Sequence, residues 1–361
     1  MRRWFAAAVI LVVALIAVSS RAGSGGTSPS TGGQRSTSRR SGRIAFIRTS
    51  PDGSAAVLVR TNPDGSHNQT VPPPSRPETF SSPAWSPDGA TLLISHTYRL
   101  DTSGQCCLPF RPATVKPDGS RFTQYRMRYA PPGIDCPVWS ADATRILCGF
   151  GGSHPGVYSV RAADGGDPIR LSTNPFGSEA EEAIDQPTSV SPDGTRFLFI
   201  RYRPGKRGDR EANKMTALFV ENLDGTGLRQ ITPYGLTAAH EDAWAAWSPD
   251  GHEILSVASG RAGHPGPITC FDAIGACLAT QSHLFVIHPD GSGFHTITLH
   301  GSAATRGYRV LQPSWSPDGS KIIFCLWPDA GAEDVYTANA DGSDPAQVTH
   351  DADFENAPRW R

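Results

Sequence analysis

The five-residue stretch Trp-Ser-Pro-Asp-Gly recurs along the chain and constrains the fold more than any other feature. Full copies lie at Trp85–Gly89, Trp247–Gly251 and Trp315–Gly319, and degraded copies lie at Trp139–Ala143 and Val190–Gly194. Proline presets φ at the second position of a tight turn, aspartate bonds to the local backbone, and glycine takes the left-handed conformation. Each copy therefore predicts a hairpin turn between two strands.

The copies are spaced at a nearly regular interval. Aligned on the residue before each Ser-Pro-Asp-Gly or its remnant, with Trp360 as a sixth anchor, they lie 54, 51, 57, 68 and 45 residues apart. A self-similar period of about 50 residues is typical of a propeller or a solenoid. We therefore interpret the chain as six structural repeats.

The last full repeat indicates what one unit contains. Its apolar runs predict strands at Pro313–Ser316, Lys321–Leu326, Asp334–Asn339 and Ala346–Thr349, and Asp341-Gly-Ser supplies a second turn. The second run is apolar at successive positions, as in a strand that is buried on both faces. Four antiparallel strands, repeated radially, form the blades of a β-propeller.

The two ends of the repeat region complete each other. The unit that starts at Arg43 lacks a preceding Pro-x-Trp strand, and Pro358–Arg361 supplies only that strand. The sequence therefore predicts an all-β fold, a six-bladed β-propeller of four-stranded antiparallel blades over residues 43–361, closed by the C-terminal strand. Closure removes the open edges of a sheet. A content of 37 glycines and 31 prolines in 361 residues fits such a turn-rich β protein.

The N-terminal part of the chain has a different composition. Two arginines precede an apolar run over residues 4–18, and small residues follow, which is the plan of a secretory signal. We expect residues 1–19 to be a cleaved signal peptide or, alternatively, a signal anchor that holds the protein in the membrane through residues 4–20. Residues 20–42, rich in Gly, Ser, Thr and Arg, are expected to be a disordered tether. Either reading predicts export, with the protein periplasmic, at the cell surface or secreted.

The repeat resembles that of the TolB-type β-propellers. The resemblance rests on the Pro-x-Trp-Ser-Pro-Asp-Gly stretches and on the Asp-Gly-Ser/Thr turns, and it spans residues 43–361. The second turns begin at Asp64, Asp118, Asp224, Asp290 and Asp341. Propellers with this repeat include the periplasmic TolB of the Tol–Pal envelope system, which works by binding other proteins, so the resemblance implies a binding scaffold. TolB also has a small α/β domain before its propeller, and we expect this domain to be absent here because residues 20–42 are too few to form it.

Strand order gives the propeller two different faces. Both kinds of short turn lie on one face, the turn face. The loops between second and third strands and the links between blades lie on the other, the long-loop face, and three of these segments are long: Thr97–Arg111, Arg203–Asn213 and Gly260–Ser282. Because function concentrates on variable loops carried by a rigid scaffold, we expect the binding site on the long-loop face and in the central funnel.

Acidic residues and histidines recur just before the innermost strands. They are Asp135, Asp185, His240, Asp242, His350, Asp353 and Glu355. We expect these side chains to crowd the mouth of the central channel. Carboxylates with histidine can bind a divalent cation or supply an acid and a base, but the same pattern also suits solvated links, and the spacing matches no metal motif.

A run of basic residues marks one of the long loops. Its members are Arg201, Arg203, Lys206, Arg207 and Arg210. We expect them to form a basic loop on the fourth blade. Such a loop is either a solvated surface or a contact for an acidic partner, an anionic glycan or a lipid head group.

Seven cysteines in an exported chain can form disulfides. The candidate pairs are Cys136 with Cys148 and Cys270 with Cys277. Cys136 and Cys148 flank a hairpin, and pairing Trp139 with Arg145 sets them opposite each other, so we predict a cross-strand bridge. The second pair lies within one long loop and could pin it. The odd number leaves at least one thiol free or intermolecular.

Two functions follow from these features, and both remain open. The first is a monomeric, non-catalytic scaffold of the cell envelope or exterior that binds a protein through the long-loop face. The second is a propeller enzyme, a lyase or hydrolase, or a metal- or carbohydrate-binding protein with its site in the funnel. No residue is assigned as catalytic, and no cofactor is expected apart from a divalent cation in the channel. A formal net charge of −1 gives no global field that would favour nucleic acid or an anionic membrane.

Overall fold

A computed structural model of the chain describes residues 43–51, 55–72, 78–98, 111–125, 135–150, 154–176, 184–203, 215–236, 244–259, 282–300, 308–328 and 332–361. Over these residues the chain forms β-strands and no α-helix. This part of the chain accordingly has no helix that is long and apolar enough to cross a membrane. The expected signal segment and tether, residues 1–42, lie outside the described residues.

The strands are numbered in chain order. They are β1 (Ile44–Thr49), β2 (Ala56–Thr61), β3 (Gln69–Val71), β4 (Glu78–Trp85), β5 (Leu92–Tyr98), β6 (Arg111–Val115), β7 (Thr123–Gln124), β8 (Asp135–Trp139), β9 (Arg145–Phe150), β10 (Gly156–Arg161), β11 (Ile169–Arg170), β12 (Asp185–Val190), β13 (Arg196–Arg203), β14 (Met215–Asn222), β15 (Arg229–Gln230), β16 (Ala245–Trp247), β17 (Ile254–Ser259), β18 (Ser282–Ile287), β19 (His295–Ile297), β20 (Tyr308–Trp315), β21 (Lys321–Pro328), β22 (Asp334–Asn339), β23 (Ala346–Gln347) and β24 (Phe354–Trp360).

These strands form six antiparallel blades of four strands. Blades 2 to 6 each take four consecutive strands, from β4–β7 in blade 2 to β20–β23 in blade 6. Blade 1 takes β24 as its innermost strand, followed by β1, β2 and β3. The predicted all-β fold of six blades, with the C-terminal strand completing the first one, is therefore confirmed.

The Ser-Pro-Asp-Gly turn is held by its own side chains, as its last copy shows. The hydroxyl of Ser316 donates to Asp318 at 2.8 Å and accepts from the backbone N–H of Lys321 at 2.9 Å. The same carboxylate accepts from the backbone N–H of Ser320 at 3.0 Å. These bonds favour the charged carboxylate and lower the pKa of Asp318 to about 2. The turn is thus specified within six residues of sequence, which is why the motif predicts it.

The hairpin of blade 3 tests the predicted disulfide and its register. Trp139 pairs with Ile146 rather than with Arg145, so the predicted register is wrong by one residue at that point. A bulge between Asp135 and Val138 restores the register further along the strand. The disulfide between the two cysteines of this hairpin, Cys136 and Cys148, is therefore present, with their Cα atoms 3.9 Å apart.

The hydrophobic core is divided among the blade junctions. The described residues form six clusters of buried apolar side chains, and each cluster draws on two neighbouring blades. At the junction of blades 6 and 1, for example, Phe46 packs with Ile323 and Val335. Burial of one such phenylalanine contributes about 1.5–3 kcal/mol. Each blade is therefore stabilised by its neighbours, as in other radially repeated folds.

Two turn glycines separate two causes of lost stability on substitution by alanine, the positive φ angle and a steric clash of the added Cβ. Gly65 and Gly251 have almost equal φ values of 76° and 77°. A Cβ at Gly65 would lie 2.3 Å from the carbonyl oxygen of Val348, whereas a Cβ at Gly251 would lie 3.7 Å from Pro192. We expect Gly251→Ala to cost about 1–2 kcal/mol of stability through backbone strain alone, and Gly65→Ala to cost clearly more. Thermal unfolding of both variants would check this order, and equal losses would contradict it.

Candidate functional site

Asp185 and Arg201 form a buried ion pair at the long-loop end of blade 4. The Nε and Nη2 atoms of Arg201 donate to the two oxygens of Asp185 at 2.8 and 2.7 Å. Ser172 and Asn174, in the link before β12, donate to the same carboxylate at 2.7 and 2.9 Å. Asp185 is fully buried. Its oxygens are thus satisfied by four hydrogen bonds inside the protein.

A second, partly buried ion pair lies at the long-loop end of blade 1. The Nε atom of Arg48, on β1, donates to Oε1 of the fully buried Glu355, on β24, at 2.9 Å. Arg48 also forms an ion pair with Asp351, and Asp353 lies 4.0 Å from its Nε. This pair joins the first described strand to the last one, so it contributes to the closure of the ring.

The two ion pairs occupy equivalent positions in their repeats. Each arginine ends a Phe-Ile-Arg sequence, Phe46–Arg48 in blade 1 and Phe199–Arg201 in blade 4. Each guanidinium lies near the ring of the phenylalanine two residues earlier, at 5.5 and 5.2 Å from the ring centre. In a ring of six, blades 1 and 4 are opposite each other.

The equivalent pair of positions in two other blades holds side chains that carry no charge. Phe80 pairs with His96 in blade 2, and Val310 pairs with Leu326 in blade 6. Burial, with Arg111 nearby, lowers the pKa of His96 to about 4, so this histidine is neutral at physiological pH. A buried position is therefore filled either by a complete ion pair or by side chains without charge, as the cost of an unpaired buried charge requires.

These contacts place three of the candidate residues, Asp185, Glu355 and Arg201, in buried positions within the blades. The first two contact arginines, and Arg201 is buried on β13. Repetition of Phe-Ile-Arg was the signal in the sequence that could have revealed this. A ligand-binding role for these residues stays a prediction.

The other candidate residues are placed as follows. Asp135 begins β8, and Arg203 ends β13. In the link before β24, His350 is exposed and Asp353 is half-buried. The candidates that lie outside the described residues are His240, Asp242, Lys206, Arg207, Arg210, Cys270 and Cys277. Within the described ranges, no three or more His, Cys, Asp or Glu side chains are grouped so that they could hold a metal ion. The metal and acid–base expectation for the remaining residues stays a prediction.

A hydroxyl group bridges two carboxyl groups beside the Arg48–Glu355 pair. The hydroxyl oxygen of Thr349 lies 3.1 Å from both Oδ1 of Asp334 and Oε2 of Glu355, and it accepts from the backbone N–H of Val335 at 2.9 Å. One hydroxyl has one proton, so the two carboxyl groups compete for a single donor. Burial raises the pKa of Glu355 to about 7 and also raises the pKa of Asp334.

The central channel is crossed by a cation–π contact. Arg359 lies on β24 of blade 1, and Trp244 precedes β16 of blade 5. Blade 6 lies between these two blades, yet the guanidinium carbon of Arg359 is 3.7 Å from the ring centre of Trp244. Innermost strands that are not neighbours can meet only across the channel. The two buried side chains therefore hold blades 1 and 5 together across the channel.

An aromatic and arginine cluster is exposed on the long-loop face where blade 6 meets blade 1. Trp327, near the end of β21, is 38% exposed. Its ring meets that of Phe354 edge to face at 6.5 Å, and the guanidinium carbon of Arg309 lies 5.3 Å from its centre. We call Arg309, Trp327 and Phe354 the Trp327 cluster. The other large apolar side chains that are exposed in the described residues, Ile169, Leu228 and Phe294, lie beside turns of the opposite face.

The geometry defines a closed six-bladed β-propeller with four-stranded blades, and solved structures share it. The chain aligns with TolB from Acinetobacter baumannii at a TM-score of 0.59, with 16% identity over 88% of this chain and 66% of that protein. It aligns with a putative TolB from Agrobacterium tumefaciens at a TM-score of 0.54, with 17% identity over 89% and 99% of the two chains. The fold is therefore that of a TolB-type propeller, and the chain spans about two thirds of the length of the Acinetobacter protein.

Solved structures of other propellers align less well. An oligogalacturonate lyase from Vibrio parahaemolyticus aligns with 14% identity over 85% of this chain and 73% of the lyase, at a TM-score of 0.45. That score is too low to support an argument about function. No protein-family model matches the sequence, and no curated protein is similar to it.

Blade 6 provides a template for testing the ion pair of blade 4. Arg201→Leu should cost about 3–5 kcal/mol of stability, because it leaves the charge of Asp185 buried without its partner. The double variant Asp185→Val/Arg201→Leu copies the Val310–Leu326 pair and should cost less than Arg201→Leu alone. Denaturant unfolding of Asp185→Val, Arg201→Leu and the double variant would measure the coupling energy between the two residues. Additive losses would show that the two residues act independently.

The raised pKa of Glu355 predicts a dependence of stability on pH. Between the ordinary value of 4.5 and the folded value of about 7, the unfolded chain loses this proton while the folded protein keeps it. The free energy of unfolding contributed by Glu355 should therefore fall as the pH rises through this window and level off above it. Glu355→Gln cannot titrate, so its melting temperature should change less between pH 5 and pH 7.5 than that of the wild type. Identical slopes would contradict this assignment.

Proposed function

We propose that the protein is an exported, envelope-associated scaffold that binds a partner protein through its long-loop face and catalyses no reaction. The observation that carries this proposal is the Trp327 cluster. Tryptophan and arginine are the residues most enriched among those that dominate binding energy at protein interfaces. Here both are present on the face whose loops vary most between repeats.

The Trp327 cluster has the form of an interface anchor. A single exposed apolar residue is common on protein surfaces and needs no explanation. This tryptophan, however, is held by Phe354 at its edge and by Arg309 against its ring, so little side-chain freedom is left to be lost on binding. Such preorganisation favours affinity because it reduces the entropic cost of association.

The polar residues around the funnel also support a scaffold over an enzyme. Asp185 and Glu355 are committed to arginines within the blades. Arg359 and Trp244 contact each other across the channel. These residues therefore stabilise the ring, and the long-loop surface around them is left as the site of contact.

Export is supported by two features of different kinds. The described residues contain a disulfide, Cys136–Cys148, and disulfides persist mainly in oxidising compartments such as the periplasm and the cell exterior. The apolar run near the N-terminus has the plan of a secretory signal. A TolB-type repeat, which resembles that of a periplasmic protein, agrees with both.

Crosslinking of the full-length chain in cells of its host, with matched variants, would test the proposal. Trp327→Ala should abolish a discrete crosslinked adduct, because truncation of a central tryptophan costs about 2 kcal/mol or more of binding energy. Leu228→Ala is the control, since Leu228 is 47% exposed beside a turn of the opposite face. Both variants should melt as the wild type does. An adduct that persists in Trp327→Ala, or that both variants lose, would contradict binding through this cluster.

A further inference from the structure

A cleft opens on the turn face between blades 5 and 6. The Trp327 cluster lies on the opposite face of the propeller. Its volume is about 200 Å³. The residues that bound it and that matter here are Asp250, Glu253, His295, Trp315 and Asp318. The cleft is smaller than the sites that hold drug-sized ligands, so it fits a group of the size of one side chain.

The preceding junction shows what fills the equivalent place. Between blades 4 and 5 the guanidinium carbon of Arg196 lies 5.0 Å from the ring centre of Trp247. Trp247 and Trp315 are the same residue of successive repeats, and Arg196 and Glu253 are the same residue of the blades that precede them. The cleft therefore lies where the preceding junction places a guanidinium on its tryptophan.

The substitution at Glu253 is specific to this junction. The residue two positions after the turn glycine, or after its replacement Ala143, is Arg145, Arg196 or Lys321 in three repeats and Thr91 in another. Only in blade 5 is this residue acidic among the five turns of the motif. Blade 5 thus has a carboxylate where three other repeats have a cation, and a cavity lies beside the aromatic ring.

The walls of the cleft are suited to a positive charge. Hydrogen bonds from Ser248 and Ser316 hold the carboxylates of Asp250 and Asp318 in their charged form and lower the pKa of both. Glu253 adds a third carboxyl group, and the aromatic surface of Trp315 attracts cations through its quadrupole. An anion would be poorly matched to the three carboxyl groups of this lining.

We propose that this cleft binds a guanidinium group supplied by a ligand, in the place that Arg196 occupies at the preceding junction. The group can come from an arginine side chain of a polypeptide or from a small free guanidinium compound. The cation rests against Trp315, and Glu253 pairs with it. This site is separate from the long-loop face, so it stands or falls independently of the proposed function.

Calorimetric titration of the full-length protein would test the site. The probes are N-acetyl-arginine amide, its neutral urea isostere N-acetyl-citrulline amide, and agmatine as a free guanidinium compound. The arginine derivative should bind saturably, and the citrulline derivative about tenfold or more weakly, because it lacks the charge. Tighter binding of agmatine would indicate a small-molecule source, and tighter binding of the blocked arginine would indicate a polypeptide.

Reciprocal variants would locate the binding. Glu253→Arg should fill the cleft from within and abolish binding, whereas Arg196→Glu should open the equivalent cleft beside Trp247 and add a second site. Glu253→Gln is a milder change that serves if Glu253→Arg does not fold. It should weaken binding about fivefold. The proposal would be overturned by the absence of saturable binding, by equal binding of the citrulline derivative, or by undiminished binding to a folded Glu253→Arg or Glu253→Gln variant.

Discussion

Closure of the ring is the constraint on which the rest of the structure depends. Each blade buries its apolar faces against two neighbours, so an open ring would leave two faces in water. The final contact is made by β24 on β1, where Arg48 binds Glu355 inside the completed blade. The same strand carries Arg359, which reaches across the channel to Trp244. One strand thus completes a sheet, contributes to the core between two blades and makes a contact across the channel.

The fold could be predicted because its determinants are local. A Ser-Pro-Asp-Gly turn is held by the serine and aspartate of the same turn, so a few consecutive residues specify it wherever they occur. Five such turns and a sixth anchor at Trp360, at a nearly regular spacing, leave few architectures other than a propeller. The disulfide was predictable for a related reason, since Cys136 and Cys148 belong to one hairpin. The single error of register there came from a bulge, which the spacing of residues does not reveal.

The candidate site was harder to predict because it depends on partners distant in sequence. An acidic residue such as Asp185 or Glu355 looks the same in the sequence whether it lies in a solvated link or in a buried pair. Only the arginine on the neighbouring strand distinguishes the two cases. The contact between Arg359 and Trp244 joins strands that are neighbours neither in sequence nor in the ring. The cleft beside Trp315 arises from what Glu253 fails to fill. The repeat alignment contained hints of these features, but the fold was needed to interpret them.

The closing pair has a consequence for how the protein is made. Arg48 and Glu355 are 307 residues apart in sequence, so the first blade must wait for almost the whole chain before it can gain its innermost strand. Contacts of such long range slow folding. During this delay β1 presents an unpaired edge, and edges of this kind invite pairing with the wrong strand or with another chain. The period between synthesis and closure is therefore when this propeller is most exposed to misassembly.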